Sequence, residues 1–164
     1  MKKIFLIIVV LLFLFSGCNS GVKQFEPITG ITFTADIAYL AENYKADCTV
    51  SKTGDLSAVL RSPGGVNGIC VTLSGISSIF EYGGIKIESP VNCLPDVCPI
   101  SIIHNALSGT GFTDYANNSG NCKLTGKTGE YGYDLLITPS GLPISLEVAD
   151  IGMKVSFENI KSEQ

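Results

Sequence analysis

The sequence has no tryptophan, only two methionines and one histidine, His104, and only 16% of its residues are charged. A single histidine gives little basis for a catalytic Cys–His pair or a zinc site, and no glycine-rich phosphate-binding loop is present. Basic residues are also scarce, because 11 Lys and Arg stand against 15 Asp and Glu. Nucleic acid is bound through an excess of positive charge, so it is not an expected partner. We therefore expect no enzyme activity, no metal and no cofactor.

The chain also lacks a hydrophobic run long enough to span a bilayer, which takes about 20 residues. Its longest run, residues 4–15, has twelve apolar residues behind two lysines, as in the apolar core of a secretory signal peptide. The next letters, SGC, end in Cys18 and resemble a lipobox, at which diacylglycerol is attached to the thiol and the chain is cut before that residue. An ordinary secretory signal with a chance cysteine is the alternative.

Lipidation at Cys18 would divide the chain into a signal peptide, 1–17, a lipid-anchored tether, 18–28, and one domain, 29–164. Two acyl chains hold a protein firmly to a membrane, since each buried CH₂ contributes about 0.8 kcal/mol. We expect a monomer anchored through its diacylglycerol to the extracytoplasmic side of the cell membrane. In a Gram-negative host, Asn19 after the cysteine favours the outer membrane.

Five further cysteines leave three possibilities open. Their odd number means that at least one thiol is free or pairs with another chain. Cys93 and Cys98 are close enough in sequence for a disulfide in an exported protein, whereas their spacing and the single distant His104 fit a zinc site poorly. Buried free thiols are the third possibility, because cysteine packs like a small hydrophobic residue. The five are Cys48, Cys70, Cys93, Cys98 and Cys122.

Alternation of apolar and polar residues predicts a series of short antiparallel strands. Glycine-containing turns such as Gly83-Gly84 separate them, since glycine permits the positive φ of tight hairpins. A polar, Asn- and Gly-rich loop is predicted over 110–121. The predicted strands lie near residues 31–39, 44–50, 56–60, 69–73, 80–82, 85–87, 122–124, 131–137, 144–148 and 153–157.

One helix is predicted, from about Val97 to Ser108. Asp96 is placed to cap its N-terminus, Pro99 lies in its first turn, and Gly109 ends it. Ile100, Ile103 and Leu107 recur at helical spacing and form an apolar stripe that must lie on the strands. We therefore expect a mainly β (α+β) fold: a strongly curved antiparallel sheet forming an incomplete half-barrel of about ten strands, with one short helix covering its concave face.

Two segments resemble the lipoprotein-carrier superfamily of LolA and LolB type. The first is 56–88, with SPGGVNG between two strands and then FEYGGI; the second is 133–159, with YDL, GLPISL and MKVSFEN. The resemblance extends over roughly 29–161. It implies an incomplete β-barrel closed by a helical lid around a hydrophobic cavity, and binding of a lipid, an acyl chain or an acylated protein.

The residues that would line such a cavity are aromatic side chains of the strands and apolar side chains of the helix. Ordinary core packing is the alternative for all of them. The predicted function is hydrophobic ligand binding by a membrane-anchored lipoprotein, and the alternative is a surface-anchored protein-interaction lipoprotein without a cavity. The candidate lining residues are Tyr44, Phe80, Tyr82, Ile103, Leu107, Tyr131 and Tyr133.

Overall fold

A computed structural model describes residues 25–118 and 120–163. Within these residues, eleven strands form one antiparallel sheet in the order β6-β5-β4-β3-β2-β1-β11-β10-β9-β8-β7. The predicted signal peptide, Cys18 and most of the predicted tether lie outside the described residues. The strands are β1 (Ile31–Tyr39), β2 (Glu42–Val50), β3 (Leu56–Ser62), β4 (Cys70–Leu73), β5 (Ser77–Tyr82), β6 (Ile85–Pro90), β7 (Phe112–Asn118), β8 (Asn121–Thr128), β9 (Tyr131–Ile137), β10 (Pro143–Val148) and β11 (Met153–Ser162).

The sheet is curved and its ends do not meet, as the half-barrel prediction requires. The single α-helix of the described residues, α1 (Pro99–Ser108), packs on β4, β8 and β10. In the sheet order, β4 and β8 are seven positions apart. In a flat sheet, with about 4.8 Å between neighbouring strands, they would be roughly 30 Å or more from each other. A helix about 10 Å wide can therefore touch both strands only if the sheet curls around it. The predicted fold class is confirmed.

Alternation along each strand directs one set of side chains to this concave face. Ile31, Phe33, Ala35 and Ile37 of β1 are buried while the residues between them are more exposed. The same pattern recurs in β9 and β11, whose inward residues join one core cluster with the buried side chains of α1. The buried residues of α1 are Ile100, Ile102, Ile103, Ala106 and Leu107.

The start of α1 differs from the prediction. Cys98, not Asp96, occupies the N-cap position, and no side chain bonds to the first helical N–H groups. Asp96 lies two residues earlier, with its carboxylate against Gly129 in the β8–β9 turn. Pro99 explains the shift, because the residue before a proline is driven out of the α region and the helix can begin only at Pro99. Gly109 ends α1 in a left-handed conformation, as predicted.

The predicted loop over 110–121 is wrong, because most of it forms β7. Phe112 and Tyr115 pack against the core cluster, and β7 pairs with β8 from Phe112–Gly126 to Asn118–Asn121. The segment was predicted to be a loop because its composition is rich in Asn and Gly. Since β7 is an edge strand, it needs only a few apolar contacts and can carry polar residues on its exposed positions.

The last residues of the predicted tether pack onto the domain. The Ile28 amide donates a hydrogen bond to the Leu107 carbonyl at 2.8 Å, and its side chain is buried in the core. Phe25 stacks on Phe112 with ring centroids 5.8 Å apart. The chain therefore enters the domain alongside the end of α1.

Candidate binding surface on the concave face

Four large apolar side chains lie together on the concave face of β5 and β6, namely Phe80, Tyr82, Ile85 and Ile87. Phe80 pairs with Ile87 across the two strands, and Tyr82 pairs with Ile85. Tyr82, Ile85 and Ile87 are 56%, 67% and 60% exposed. Side chains of this size at inward positions are usually buried. We refer to these four residues as the β5–β6 apolar face.

This face is continuous with the core. Phe80 pairs with the buried Val71 of β4 and packs against the core cluster. Leu60 and Ile69, which are half-buried, also pack against the cluster, and the Leu60 amide donates to the Ile69 carbonyl at 2.9 Å. Apolar surface thus runs from the covered centre of the sheet to its edge, beyond the strands on which α1 packs.

A second apolar feature lies at the other side of α1. It is a cavity of about 200 Å³ against β7, β8 and β9. Phe25 lines this cavity, stacks on Phe112 and lies directly over Gly109. The segment 25–28 thus forms part of the cavity wall, and the lining residues are Phe25, Glu26, Ile28, Phe112, Tyr115, Leu124, Ile137 and Gly141.

The structure distributes the seven candidate lining residues over three environments. Phe80 and Tyr82 belong to the β5–β6 apolar face. Ile103, Leu107 and Tyr133 are buried in the core with 0%, 1% and 2% exposure. Tyr44 and Tyr131 are half-buried at the margins of the core cluster. Ile85 and Ile87 are not among the candidates that the sequence predicts, although the predicted strand 85–87 contains both.

Two tyrosines have raised pKa values for different reasons. Burial raises the pKa of Tyr133, whose hydroxyl donates to the Thr110 carbonyl at 3.0 Å. A hydrogen bond with Cys122 is the main cause that raises the pKa of Tyr115, and its hydroxyl oxygen lies 2.8 Å from the Cys122 sulfur. Both groups are neutral hydrogen-bonding partners at neutral pH.

The disulfide, metal and hydrogen-bond partners of the described cysteines and of His104 can be read from the structure. All five described cysteines are free thiols, so Cys93 and Cys98 are not bonded to each other. Among the described residues, no group of three His, Cys, Asp or Glu side chains could hold a metal ion. The ring nitrogen Nε2 of His104 lies 3.1 Å from the Gly54 carbonyl and links α1 to the β2–β3 turn.

In the part of the chain that the structure describes, no helix has the length and apolar character needed to cross a membrane.

Comparison with known proteins finds a similar fold but shows no family. No protein-family model matches the chain, and no curated protein sequence matches it either. An uncharacterized conserved protein from Thermus thermophilus is similar in structure, with a TM-score of 0.54 and 12% identity, over 82% of this chain and 79% of that one. A LolA superfamily protein from Nitrosomonas europaea gives a TM-score of 0.44 and 10% identity, over 84% of this chain and 88% of that one.

Proposed function

We propose that this protein is a membrane-anchored lipoprotein that binds a hydrophobic ligand on the concave side of its half-barrel. The ligand is a lipid, a free acyl chain or the acyl group of another lipoprotein. The observation that carries the proposal is the β5–β6 apolar face, where Tyr82, Ile85 and Ile87 are more than half exposed and yet adjoin the core. Cys18 would supply the anchor.

The energetics favour an occupant on this face. Full burial of one large aliphatic side chain contributes about 1.5–3 kcal/mol, so covering the exposed parts of Tyr82, Ile85 and Ile87 supplies several kcal/mol. Contiguous exposed apolar surface of this kind typically marks an interaction site. No charged side chain lies among the four residues of the face, which suits an uncharged hydrocarbon chain.

The cavity under Phe25 is a less suitable main site. Its volume is about 200 Å³, below the range of roughly 300–1,000 Å³ in which small-molecule pockets usually fall. It can take one end of a chain at most. The open face next to β6 has no such upper limit.

The test is binding of a fluorescent C18 fatty acid to the full chain purified from membranes. Ile85→Ser and Ile87→Ser are expected to weaken binding about tenfold each, in proportion to the apolar contact removed. Ile76→Ser is the matched control, because Ile76 is 84% exposed but lies in the β4–β5 turn, outside the face. Equal affinity of all three variants and the parent protein would contradict the proposal, as would an absence of any binding.

The alternative function, protein interaction, is favoured by one specific feature. Strand β6 is an edge of the sheet and pairs only with β5 among the described strands. An exposed edge can accept a further strand from a partner. Protein crosslinking in cells, together with failure of the fatty-acid test, would support this alternative.

A further inference from the structure

The backbone groups of β6 that face away from the sheet belong to Lys86 and Glu88. The Val91 amide donates back to the Ile76 carbonyl at 3.2 Å, and Tyr82 and Ile85 flank the two-residue Gly83-Gly84 turn. Odd-numbered residues of β6 therefore direct their N–H and C=O groups toward β5. In an antiparallel strand the alternate residues point the other way, which leaves the groups of Lys86 and Glu88 on the open edge.

We propose that β6 of one molecule pairs with β6 of a second copy of this chain, antiparallel about a two-fold axis at Ile87. In this register Ile87 lies opposite Ile87 of the second copy. Lys86 lies opposite Glu88 of the second copy, twice by symmetry, and each of these pairs exchanges two backbone hydrogen bonds. The sheets of the two molecules become one continuous sheet. This interface is isologous, the form that closed dimers use.

Charge complementarity selects this register over its neighbours. The side chains of Lys86 and Glu88 share the convex face, and in the dimer each meets an opposite charge. A two-fold axis at Lys86 would instead place the two Lys86 side chains opposite each other. An axis at Glu88 would place the two Glu88 side chains opposite each other. Directly opposed like charges destabilise a strand pair. Within its own sheet Glu88 is opposite Ile79, so its charge has no cationic residue directly across from it on β5.

The same arrangement would also bury apolar surface on the concave face. Ile87, which is 60% exposed in one molecule, would contact its counterpart, and the β5–β6 apolar faces of the two molecules would adjoin. Pro90 has no N–H group and occupies an outward position, so pairing ends there. The inference rests on the open edge of β6 and on the charges of Lys86 and Glu88, and it does not require a bound hydrophobic ligand.

Cysteine crosslinking of the full chain in membranes tests the register. In a non-hydrogen-bonded antiparallel pair the Cα atoms are about 4.5 Å apart, within the range for a disulfide. In a Cys93→Ser background, which removes the exposed native thiol, Ile87→Cys is expected to form a disulfide-linked dimer under mild oxidation. Ile76→Cys, at an even more exposed position in the β4–β5 turn, is expected to remain monomeric. Equal crosslinking of the two variants, or none at Ile87→Cys, overturns the proposal.

Charge reversal separates this pairing from nonspecific association. Glu88→Lys opposes like charges at two places and should weaken the dimer about tenfold, measured by sedimentation of the detergent-solubilised protein. Lys86→Glu with Glu88→Lys restores opposite charges across the interface, and Glu81→Lys is added to them because Glu81 is opposite Lys86 within the hairpin, with Nζ of Lys86 3.7 Å from its carboxylate. This triple variant should restore the dimer. Dimerisation that is unaffected by the single change, or not restored by the triple one, refutes the register. Lys86 and Glu88 lie on the face opposite to the β5–β6 apolar face, so these variants keep every direct fatty-acid contact. Loss of the dimer with retained fatty-acid binding therefore distinguishes a failure of the one proposal from a failure of the other.

Discussion

The aromatic ring of Tyr133 lies directly over Gly126, its partner on the neighbouring strand. A Cβ atom on Gly126 would overlap the ring. The Tyr133 hydroxyl reaches past this strand to the Thr110 carbonyl, just beyond the end of α1. Absence of a side chain at Gly126 thus allows one tyrosine to join β9, β8 and the segment that leaves the helix.

This arrangement predicts that Gly126→Ala destabilises the protein by about 1–3 kcal/mol, the usual effect of overpacking. The ring must move, and its hydrogen bond to Thr110 lengthens or breaks. Gly132→Ala is the control on the adjoining strand, because a Cβ there would meet nothing closer than 4.0 Å. Denaturant unfolding should show a loss for the first variant and little change for the second. A similar loss for both would contradict the packing described.

Phe25 is predicted to act as a cover for the apolar cavity. Phe25→Ala should lower the free energy of unfolding by about 1–2 kcal/mol, less than a fully buried phenylalanine would, because the ring is half-buried. It should also open the cavity of about 200 Å³ to a small apolar probe such as benzene. Thr29→Ala, at an exposed position of the same segment that does not line the cavity, is the control for both measurements. An equal effect of the two changes would show that the ring is not the cover.

The strands were predictable from sequence because the residues that define them are local. Alternation in β1 and β9, and the glycines of the tight turns, depend only on neighbours along the chain. The start of β6 was found in the same way, from Ile85 and Ile87. Strand β7 was missed because its composition is that of a loop, and only pairing with β8 makes it a strand.

The binding surface was less predictable because the exposure of a side chain depends on residues that are distant in sequence. Ile85 and Ile87 have the same pattern as the buried Val71 and Leu73. What separates the two pairs is the position of α1, which packs on β4. The aromatic candidates therefore include both surface and core residues. Tyr82 is exposed on the β5–β6 apolar face, whereas Tyr133 is buried in the space that Gly126 leaves open.

Anchoring through Cys18 remains a prediction with a direct test. Cys18→Ala should abolish incorporation of labelled fatty acid and release the protein from the membrane fraction, since two acyl chains supply the attachment. Cys93→Ala is the control, because it removes an exposed thiol far along the sequence from the lipobox-like segment. Unchanged partitioning of the Cys18 variant would contradict the interpretation of the N-terminus.

Alkaline solution should destabilise the protein through Cys48. Burial, with a contribution from the Asp47 carboxylate, raises the pKa of the Cys48 thiol from 9.0 to about 12. Between these pH values the unfolded chain releases the thiol proton and the folded one keeps it, so rising pH favours unfolding by up to about 1.4 kcal/mol per pH unit. Cys48→Ala should reduce this dependence of stability on pH. The dependence should not vanish, because the pKa of Tyr133 is also raised and its titration likewise favours unfolding above the usual tyrosine pKa. Cys93→Ala controls for loss of a thiol at an exposed position. Equal slopes in the Cys48 variant and the parent, from denaturant titrations across this range, would show that the thiol is not buried as described.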